Sequence, residues 1–240
     1  MGIIKKILNK KGYYKLASDR YYKSVEYGDE VLVDKLKWRT EHKFNFENVK
    51  DATKQLLIAM GEDVKRPGLI ETPKRVAGYW EELLEGEKYT NKEIAQMYNK
   101  NFIVPSDSIV VLKIDNVFST CEHHTVLMYN GTAYVAYIPK KVEGGYKVIG
   151  LSKIPRIVHM CSKRLQLQEK LASDIAECIE LATGSDQVYV QLIMDHGCVS
   201  ARGIKADSTT DVTFMSDKLK SNIEARKEIE TKIQNLYKRN

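Results

Sequence analysis

The spacing of apolar residues predicts helices in the first part of the chain, from about residue 46. Residues 46–61 repeat apolar side chains at the period of an α-helix, and Gly61 suits the position where that helix ends. Residues 71–86 show the same period, with Thr72 fitting the N-cap and Pro73 the first turn. We therefore expect two amphipathic helices before the first strand.

The period changes to that of strands after residue 107. Residues 153–183 then return to a helical pattern, two or three further extended pieces are expected up to Met215, and an amphipathic helix closes the chain. Helices and strands come in blocks, which predicts the α+β class with a largely antiparallel sheet. Four segments rich in branched and aromatic residues predict strands: residues 108–118, 132–139, 146–151 and 187–194.

Charge divides the chain unevenly. The net charge is +6, but residues 1–45 hold eleven Lys and Arg against six Asp and Glu, so the remainder carries only +1. We expect three regions: a basic N-terminal extension over residues 1–45, an N-terminal helical region over 46–106, and a domain that carries the predicted sheet and a C-terminal helix over 107–240. A basic extension is usually solvated, and nucleic-acid contact by it is the less favoured reading.

Cysteine content and hydropathy indicate the cellular setting. Four cysteines in 240 residues do not have the density of a secreted disulfide scaffold. No apolar run approaches the ~20 residues that span a bilayer, and the charged start is unlike a secretory signal. We therefore expect a cytoplasmic protein with reduced thiols and no membrane partner.

Four groups able to bind metal or move protons stand side by side at residues 121–124, Cys-Glu-His-His. The C-x-x-H spacing of Cys121 and His124 lets both side chains of one tight loop reach a single ion, as in many zinc sites. Two ligands alone are weak evidence, so the interpretation depends on whether the chain supplies a third.

A third ligand is predicted near residues 192–203. If the strand through residue 194 continues, His196, Cys198, Ser200 and Arg202 share one face, because alternate residues of a strand point the same way. Three nitrogen and sulfur ligands leave one tetrahedral position open, and an open position is typical of catalytic rather than structural zinc because water can occupy it.

Six segments together resemble the GTP cyclohydrolase I family, a family of zinc enzymes that open the imidazole ring of guanine. The resemblance covers roughly residues 46–216 in the family's order, and the first 45 residues have no counterpart in it. The matching segments are GEDVKRPGLIETPKRVAGYWEELLEG, STCEHHTV, VAYIPK, VIGLSKIPRIV, KRLQLQEKL and HGCVSARGI.

The resemblance implies a fold, an assembly and a reaction. The implied fold is the tunnelling fold, an antiparallel sheet backed by helices and preceded here by the N-terminal helical region. The implied assembly is a homodecamer of two stacked pentamers with active sites at subunit boundaries. The implied reaction converts GTP and water into 7,8-dihydroneopterin triphosphate and formate with the help of Zn²⁺.

The resemblance also implies roles for individual residues, carried over one position at a time. Catalytic roles fall to His123 and His196, which match proton-handling histidines, and to Ser152, which matches a ribose-contacting hydroxyl. The implied zinc ligands are Cys121, His124 and Cys198. The implied substrate contacts are Glu169 with Gln168 beside it for guanine, Lys153, Arg156 and Arg202 for the triphosphate, and Arg75 from a neighbouring subunit.

Several alternatives stay open at this point. Ser200 stands where family members often carry a larger or basic residue, and the segment 205–217 lacks the commoner run of Ser and Thr, so pocket details can differ. A related zinc-dependent cyclohydrolase reaction, such as hydrolysis that stops at a formamide or gives a cyclic phosphate, would require the same residues. A zinc-containing nucleic-acid-binding protein using the basic extension is the alternative of a different class. Folate, tetrahydrobiopterin and deazaguanine pathways all begin with the implied reaction.

Overall fold

The structure is a computed structural model that describes residues 14–15, 21–22 and 43–238. The chain forms two compact units, Met1–Lys88 and Tyr89–Asn240. Most of the predicted basic extension therefore lies outside the described residues. The three functional regions expected from the sequence stay predictions, because compactness alone does not test them.

The first unit contains the two predicted helices. Strands β1 (Tyr14–Lys15) and β2 (Tyr21–Tyr22) pair antiparallel, and helices α1 (Phe46–Ala59) and α2 (Thr72–Leu83) follow. Asn45 caps α1 by accepting a hydrogen bond from the backbone N–H of Asn48. Beyond α1, Gly61 adopts a φ of +86°, as expected for a glycine after a helix end.

The start of α2 differs by one residue from its prediction. Glu71, not Thr72, is the N-cap, and Pro73 lies within the first turn, where its missing N–H costs no hydrogen bond. A short 3₁₀ helix, Glu85–Lys88, follows α2.

The second unit is built on a five-stranded sheet of order β10-β9-β5-β4-β8 and a three-stranded sheet of order β3-β7-β6. All neighbours pair antiparallel except β4 and β8, which are parallel. The strands are β3 (Asn101–Val104), β4 (Val110–Cys121), β5 (Val126–Tyr137), β6 (Lys140–Val142), β7 (Gly145–Ile149), β8 (Leu165–Gln166), β9 (Val188–His196) and β10 (Thr209–Met215).

Helices cover both faces of the larger sheet. Ala133, Val135 and Tyr137 of β5 belong to the main core with the buried residues of three helices, whereas Tyr134 and Ala136 join the residues of the C-terminal helix. This alternation follows from the two-residue period of a strand. The helices of this unit are α3 (Asn91–Met97), α4 (Lys153–Ser162), α5 (Gln168–Thr183), α6 (Gly197–Ser200), α7 (Asp217–Ser221) and α8 (Ile223–Tyr237).

The α+β class and the antiparallel sheet backed by helices are confirmed, and three boundaries are corrected. The helical segment 153–183 is two helices separated by β8, because Arg164 and Gln166 are buried between them. One strand, β10, replaces the two or three extended pieces expected after residue 194. The closing helix is broken at Asn222, whose side chain caps α8. No helix of the described chain is long and apolar enough to cross a membrane.

A bulge at the middle of the sheet requires a glycine. The β4–β5 register shifts between Ile114 and Val117, and the β5–β9 register shifts between Tyr129 and Thr132. A Cβ atom on Gly131 would lie 2.2 Å from the carbonyl oxygen of Val117, so no other residue fits without moving the backbone. This bulge lies a few residues from the strand ends that carry the candidate ligands.

A buried cation anchors the connection between α4 and α5. The Arg164 side chain is 1% exposed, and its Nη1 lies 2.7 Å from Oδ2 of Asp174 and 2.8 Å from Oδ1 of Asn91. Its Nη2 donates to the carbonyl oxygen of Tyr89, and Lys170 contacts the same carboxylate. Because a buried charge is costly without partners, this network fixes α3, α5 and the chain around residue 164 together.

We predict that Asp174→Asn lowers the free energy of unfolding by about 3–5 kcal/mol, because Arg164 would keep a buried charge without its carboxylate. Asp217→Asn, which breaks the exposed pair with Lys220, is the matched control and should change little. Urea denaturation of both variants at neutral pH is the measurement. Equal losses in the two variants would contradict the structural role of the buried pair.

The same pair predicts a pH dependence. Burial opposes the charged form of Asp174, but the charges of Lys170 and Arg164 and hydrogen bonds from Lys170 and Asn91 outweigh it and lower the pKa of this carboxyl. A carboxylate with a lowered folded-state pKa raises the free energy of unfolding at pH values above its unfolded-state pKa of about 3.9. This contribution is lost as the pH falls through the folded-state pKa. Part of the acid sensitivity of the wild type should therefore be absent from Asp174→Asn.

Candidate metal and active site

Three potential metal ligands meet at the ends of two strands. Cys121 is the last residue of β4, His196 is the last residue of β9, and Cys198 lies in α6. One ligand atom of each lies within 4.8 Å of the others. Strand β5 separates β4 from β9, and its pairing of Val126 with Cys121 and of Met128 with His196 brings the two ends to one place.

The two thiols of this group lie in direct contact. The Sγ atoms of Cys121 and Cys198 are 4.0 Å apart, Cys121 is buried and Cys198 is half-buried. Burial, followed by the neighbouring Cys121 thiol, raises the pKa of Cys198. Two adjacent thiolates are disfavoured unless a cation compensates their charge. Two sulfur donors and one imidazole are a donor set that fits a zinc-type ion.

The turn from β9 into α6 places Cys198. The condition under which residues 196–202 would share one strand face is not met, because β9 ends at His196 and α6 begins at Gly197. A Cβ atom on Gly197 would lie 2.6 Å from Cγ1 of Val126, so the glycine permits the close approach of α6 to β5. Cys198 therefore reaches Cys121 through a helical turn and not along a strand face.

His196 is held by a buried amide. Its Nε2 lies 2.8 Å from Oε1 of Gln168, the first residue of α5, which is only 2% exposed. Burial lowers the pKa of His196, and the charges of Glu169 and Asp195 partly offset this effect. The neutral imidazole, which can accept a proton or bind a metal, is therefore favoured.

The two adjacent histidines lie in the tight turn between β4 and β5 and are exposed. Their ring planes are nearly perpendicular, with centroids 6.4 Å apart. Nε2 of His124 lies 2.9 Å from Nη1 of Arg202. Since a guanidinium only donates, His124 accepts this hydrogen bond. The structure thus brings His196 rather than His124 into the group of three, and the ligand role of His124 stays a prediction.

The remaining predicted residues lie on helix starts. Ser152 is the N-cap of α4, Lys153 begins that helix, and Arg156 is exposed one turn further. Glu169 is exposed in the first turn of α5, next to the buried Gln168. Arg75 is exposed on α2 of the first unit, so its place in a site stays a prediction.

Several polar contacts around the group were not predicted from the sequence. Ser200 Oγ lies 3.0 Å from the hydroxyl of Tyr129 and donates to the carbonyl oxygen of His196. The carboxylate of Asp195 accepts from Asn130 and Thr209, and these bonds lower its pKa. The Asn-Gly pair at residues 130–131 was the available signal, because it indicates an irregular backbone beside this strand end.

Comparison with known proteins identifies the family. The model of the family described as GTP cyclohydrolase I matches residues 49–234. A GTP cyclohydrolase 1 of Clostridium acetobutylicum is 46% identical over 188 residues, covering 76% of this chain and 92% of that protein. A GTP cyclohydrolase 1 of Clostridium beijerinckii is 39% identical over 193 residues, covering 78% and 95%.

A solved structure described as an archaeosine synthase QueF-like protein in the apo form is similar at a TM-score of 0.36 and 23% identity. The similarity covers 46% of this chain and 95% of that chain. The family match spans both the candidate ligands and the helices that position them. On this match and on the identity to the clostridial proteins, the chain belongs to the GTP cyclohydrolase I family.

Proposed function

We propose that the protein converts GTP and one water into 7,8-dihydroneopterin triphosphate and formate. The observation that carries the proposal is the convergence of two thiols and an imidazole in a chain of this family. The reaction would begin pterin and folate-type biosynthesis, or deazaguanine biosynthesis. Four free thiols suit a reducing cytoplasm as the place of the reaction.

The proposed cofactor is Zn²⁺, held by Cys121, His124 and Cys198. His196 lies close enough to the two thiols to compete with His124 for the same role. When bound, zinc supplies Lewis-acid chemistry that lowers the pKa of a coordinated water. The protein contributes the donor set and the buried surroundings of Cys121.

His123 and His196 are the proposed proton carriers. Opening the guanine imidazole ring requires a proton on the departing purine nitrogen, and removal of the formyl group requires a second proton transfer. The lowered pKa of His196 keeps the ring neutral and able to accept a proton near pH 7. His123 is exposed in the adjoining turn, where a substrate could reach it.

Glu169 is the proposed reader of guanine. Its carboxylate can accept from two adjacent N–H groups of guanine, an arrangement that adenine does not offer. The residue is exposed at the start of α5, one position from Gln168, whose amide contacts His196. The start of α5 would therefore carry the residue that recognises guanine and also hold the histidine that transfers protons.

The ribose and triphosphate contacts complete the proposed site. Ser152 would contact the ribose, and Lys153 and Arg156 on the same helix would contact the triphosphate with Arg202. Arg202 already lies beside His124, which would link the phosphate contacts to the metal site. Cations are needed because the sequence has no Gly-rich phosphate loop. Arg75 would contribute from a neighbouring subunit.

We further propose a homo-oligomer, a decamer by family resemblance, with sites at subunit boundaries. Phe102, Ile103 and Leu151 are 52%, 59% and 61% exposed, and exposed apolar side chains of this kind would be covered in an interface between copies. Phe102 and Leu151 line a cavity of about 440 Å³. A neighbouring copy would cover this surface and close the substrate site.

We predict that zinc-loaded protein releases formate from GTP and that removal of metal by a chelator abolishes the release, because no protein group replaces the Lewis acid. The measurements are formate release and pterin absorbance, with product mass by mass spectrometry. Re-addition of zinc is the control. Formate without a pterin product would indicate a different cyclohydrolase, and full activity without metal would contradict the proposal.

We predict that Glu169→Gln weakens GTP binding by about 2–4 kcal/mol, because charge-assisted hydrogen bonds to guanine are lost. Glu224→Gln is the matched control, since Glu224 is likewise an exposed acid in the first turn of a helix, α8. The measurement is GTP affinity by calorimetry. An affinity within about twofold of wild type in Glu169→Gln, well below the loss expected for such bonds, would contradict the assignment.

We predict that His124→Ala loses zinc and activity, whereas His123→Ala keeps zinc while turnover falls by roughly 10²–10⁴, the usual contribution of a positioned acid or base. Metal content by mass spectrometry and formate release are measured on each purified variant. His196→Ala distinguishes the two candidate ligand sets. Zinc lost from His196→Ala but kept by His124→Ala would assign the third ligand to His196.

A further inference from the structure

Both hydrogens and the oxygen of the Gln168 side-chain amide have hydrogen-bond partners within the protein. Its Nε2 donates to the carbonyl oxygens of Leu192 at 2.8 Å and Thr210 at 3.0 Å, and its Oε1 lies 2.8 Å from Nε2 of His196. Both amide hydrogens are used, so none remains to donate to a substrate. The residue is 2% exposed.

The two backbone carbonyls determine the orientation of this amide. A carbonyl oxygen only accepts, so the atom facing Leu192 and Thr210 has to be the amide nitrogen. The amide oxygen then faces His196, and it too only accepts. The hydrogen-bond network therefore assigns the proton of the neutral His196 ring to Nε2 and leaves the lone pair on Nδ1.

The anchor of this arrangement is the sheet. Leu192 lies in β9 and Thr210 in β10, and these strands are paired antiparallel along their length. Gln168 itself starts α5, whose inner face is buried in the main core. Three elements thus fix one amide, so the amide cannot rotate to offer its nitrogen to His196 without losing two hydrogen bonds.

We propose that Gln168 is a positioning residue that fixes the tautomer and the ring orientation of His196, and does not bind substrate through its side chain. The proposal rests on the proposed function, in which His196 accepts and returns a proton. A neutral imidazole can accept a proton or a metal only at the nitrogen that carries the lone pair. Fixing that nitrogen ensures that every chain presents the same one to the reaction.

The expected size of the effect follows from comparable cases. Residues that orient a histidine through its second nitrogen usually contribute 10–100-fold to activity or metal affinity, about what the loss of one positioned hydrogen bond explains. Gln168→Met removes the acceptor and preserves the approximate length and volume of the side chain. We expect kcat to fall about 10–100-fold, with a smaller change in the KM for GTP.

Gln166→Met is the matched control. Gln166 is also a fully buried glutamine, and its Nε2 donates to Ser119 Oγ and to the carbonyl oxygen of Cys161 instead of holding His196. Both variants lose two buried donor bonds, so a general loss of stability should affect them alike. Only Gln168→Met should alter the His196 ring.

The experiment measures the ring ¹⁵N shifts of His196 by NMR in metal-free protein, assigned with His196→Ala, beside kcat and KM of the zinc-loaded enzyme. Wild type and Gln166→Met should show the Nε2–H tautomer, and Gln168→Met should show a mixture with reduced kcat. A folded Gln168→Met that retains the Nε2–H tautomer and wild-type kcat overturns the proposal. A wild type that makes no formate refutes the proposed function, while the NMR result still decides the role of Gln168.

Gln168→Glu keeps the test decisive if Gln168→Met does not fold. A carboxyl group retains an acceptor for His196 but loses the paired amide donors to Leu192 and Thr210. Its His196 should retain the Nε2–H tautomer. With the introduced carboxyl ionised, so that it only accepts, an Nδ1–H ring in folded Gln168→Glu would show that an acceptor at this position does not control the histidine, and would overturn the proposal.

Discussion

The buried guanidinium of Arg164 is the constraint on which the arrangement around the site depends. A charge that is 1% exposed needs every partner it has, and Asp174, Asn91 and the carbonyl of Tyr89 come from different parts of the second unit. Because this cation cannot move outward, the chain between α4 and α5 is fixed within the core. Gln166 and Gln168 follow within four residues, so the same constraint determines where α5 begins.

The sheet supplies the second half of the geometry. Strands β4 and β9 flank β5, and their ends carry Cys121 and His196, so the separation of the two backbones at this point is set by the strand spacing of the sheet rather than by a loop. Cys198 then depends on one tight turn at Gly197, where a side chain would collide with Val126. A loop-built group would vary more in position, and a metal site that depends on three close donors benefits from rigid strand ends.

Prediction from the sequence was most successful where the local residue types determine the secondary structure. The four predicted strand segments correspond to β4, β5, β7 and β9, although β3, β6 and β8 were not predicted, and Gly61 has the left-handed φ expected after a helix end. It failed between residues 153 and 183, where apolar spacing suggested one helical segment. Arg164 and Gln166 look like surface residues in a sequence, and only their buried partners, distant along the chain, explain the break. The partnership of Arg202 with His124 is a long-range contact of the same kind and was equally hidden.

Gln168 and Glu169 show how adjacent residues acquire separate tasks from helix geometry alone. Neighbours on a helix point about 100° apart, so when one faces the core the next can face solvent. Gln168 faces inward and is hydrogen-bonded to two strand carbonyls and His196, whereas the side chain of Glu169 is exposed. An amide suits the inner position because it must donate and accept at once. A carboxylate suits the outer position because it only accepts, as the recognition of two guanine N–H groups would require.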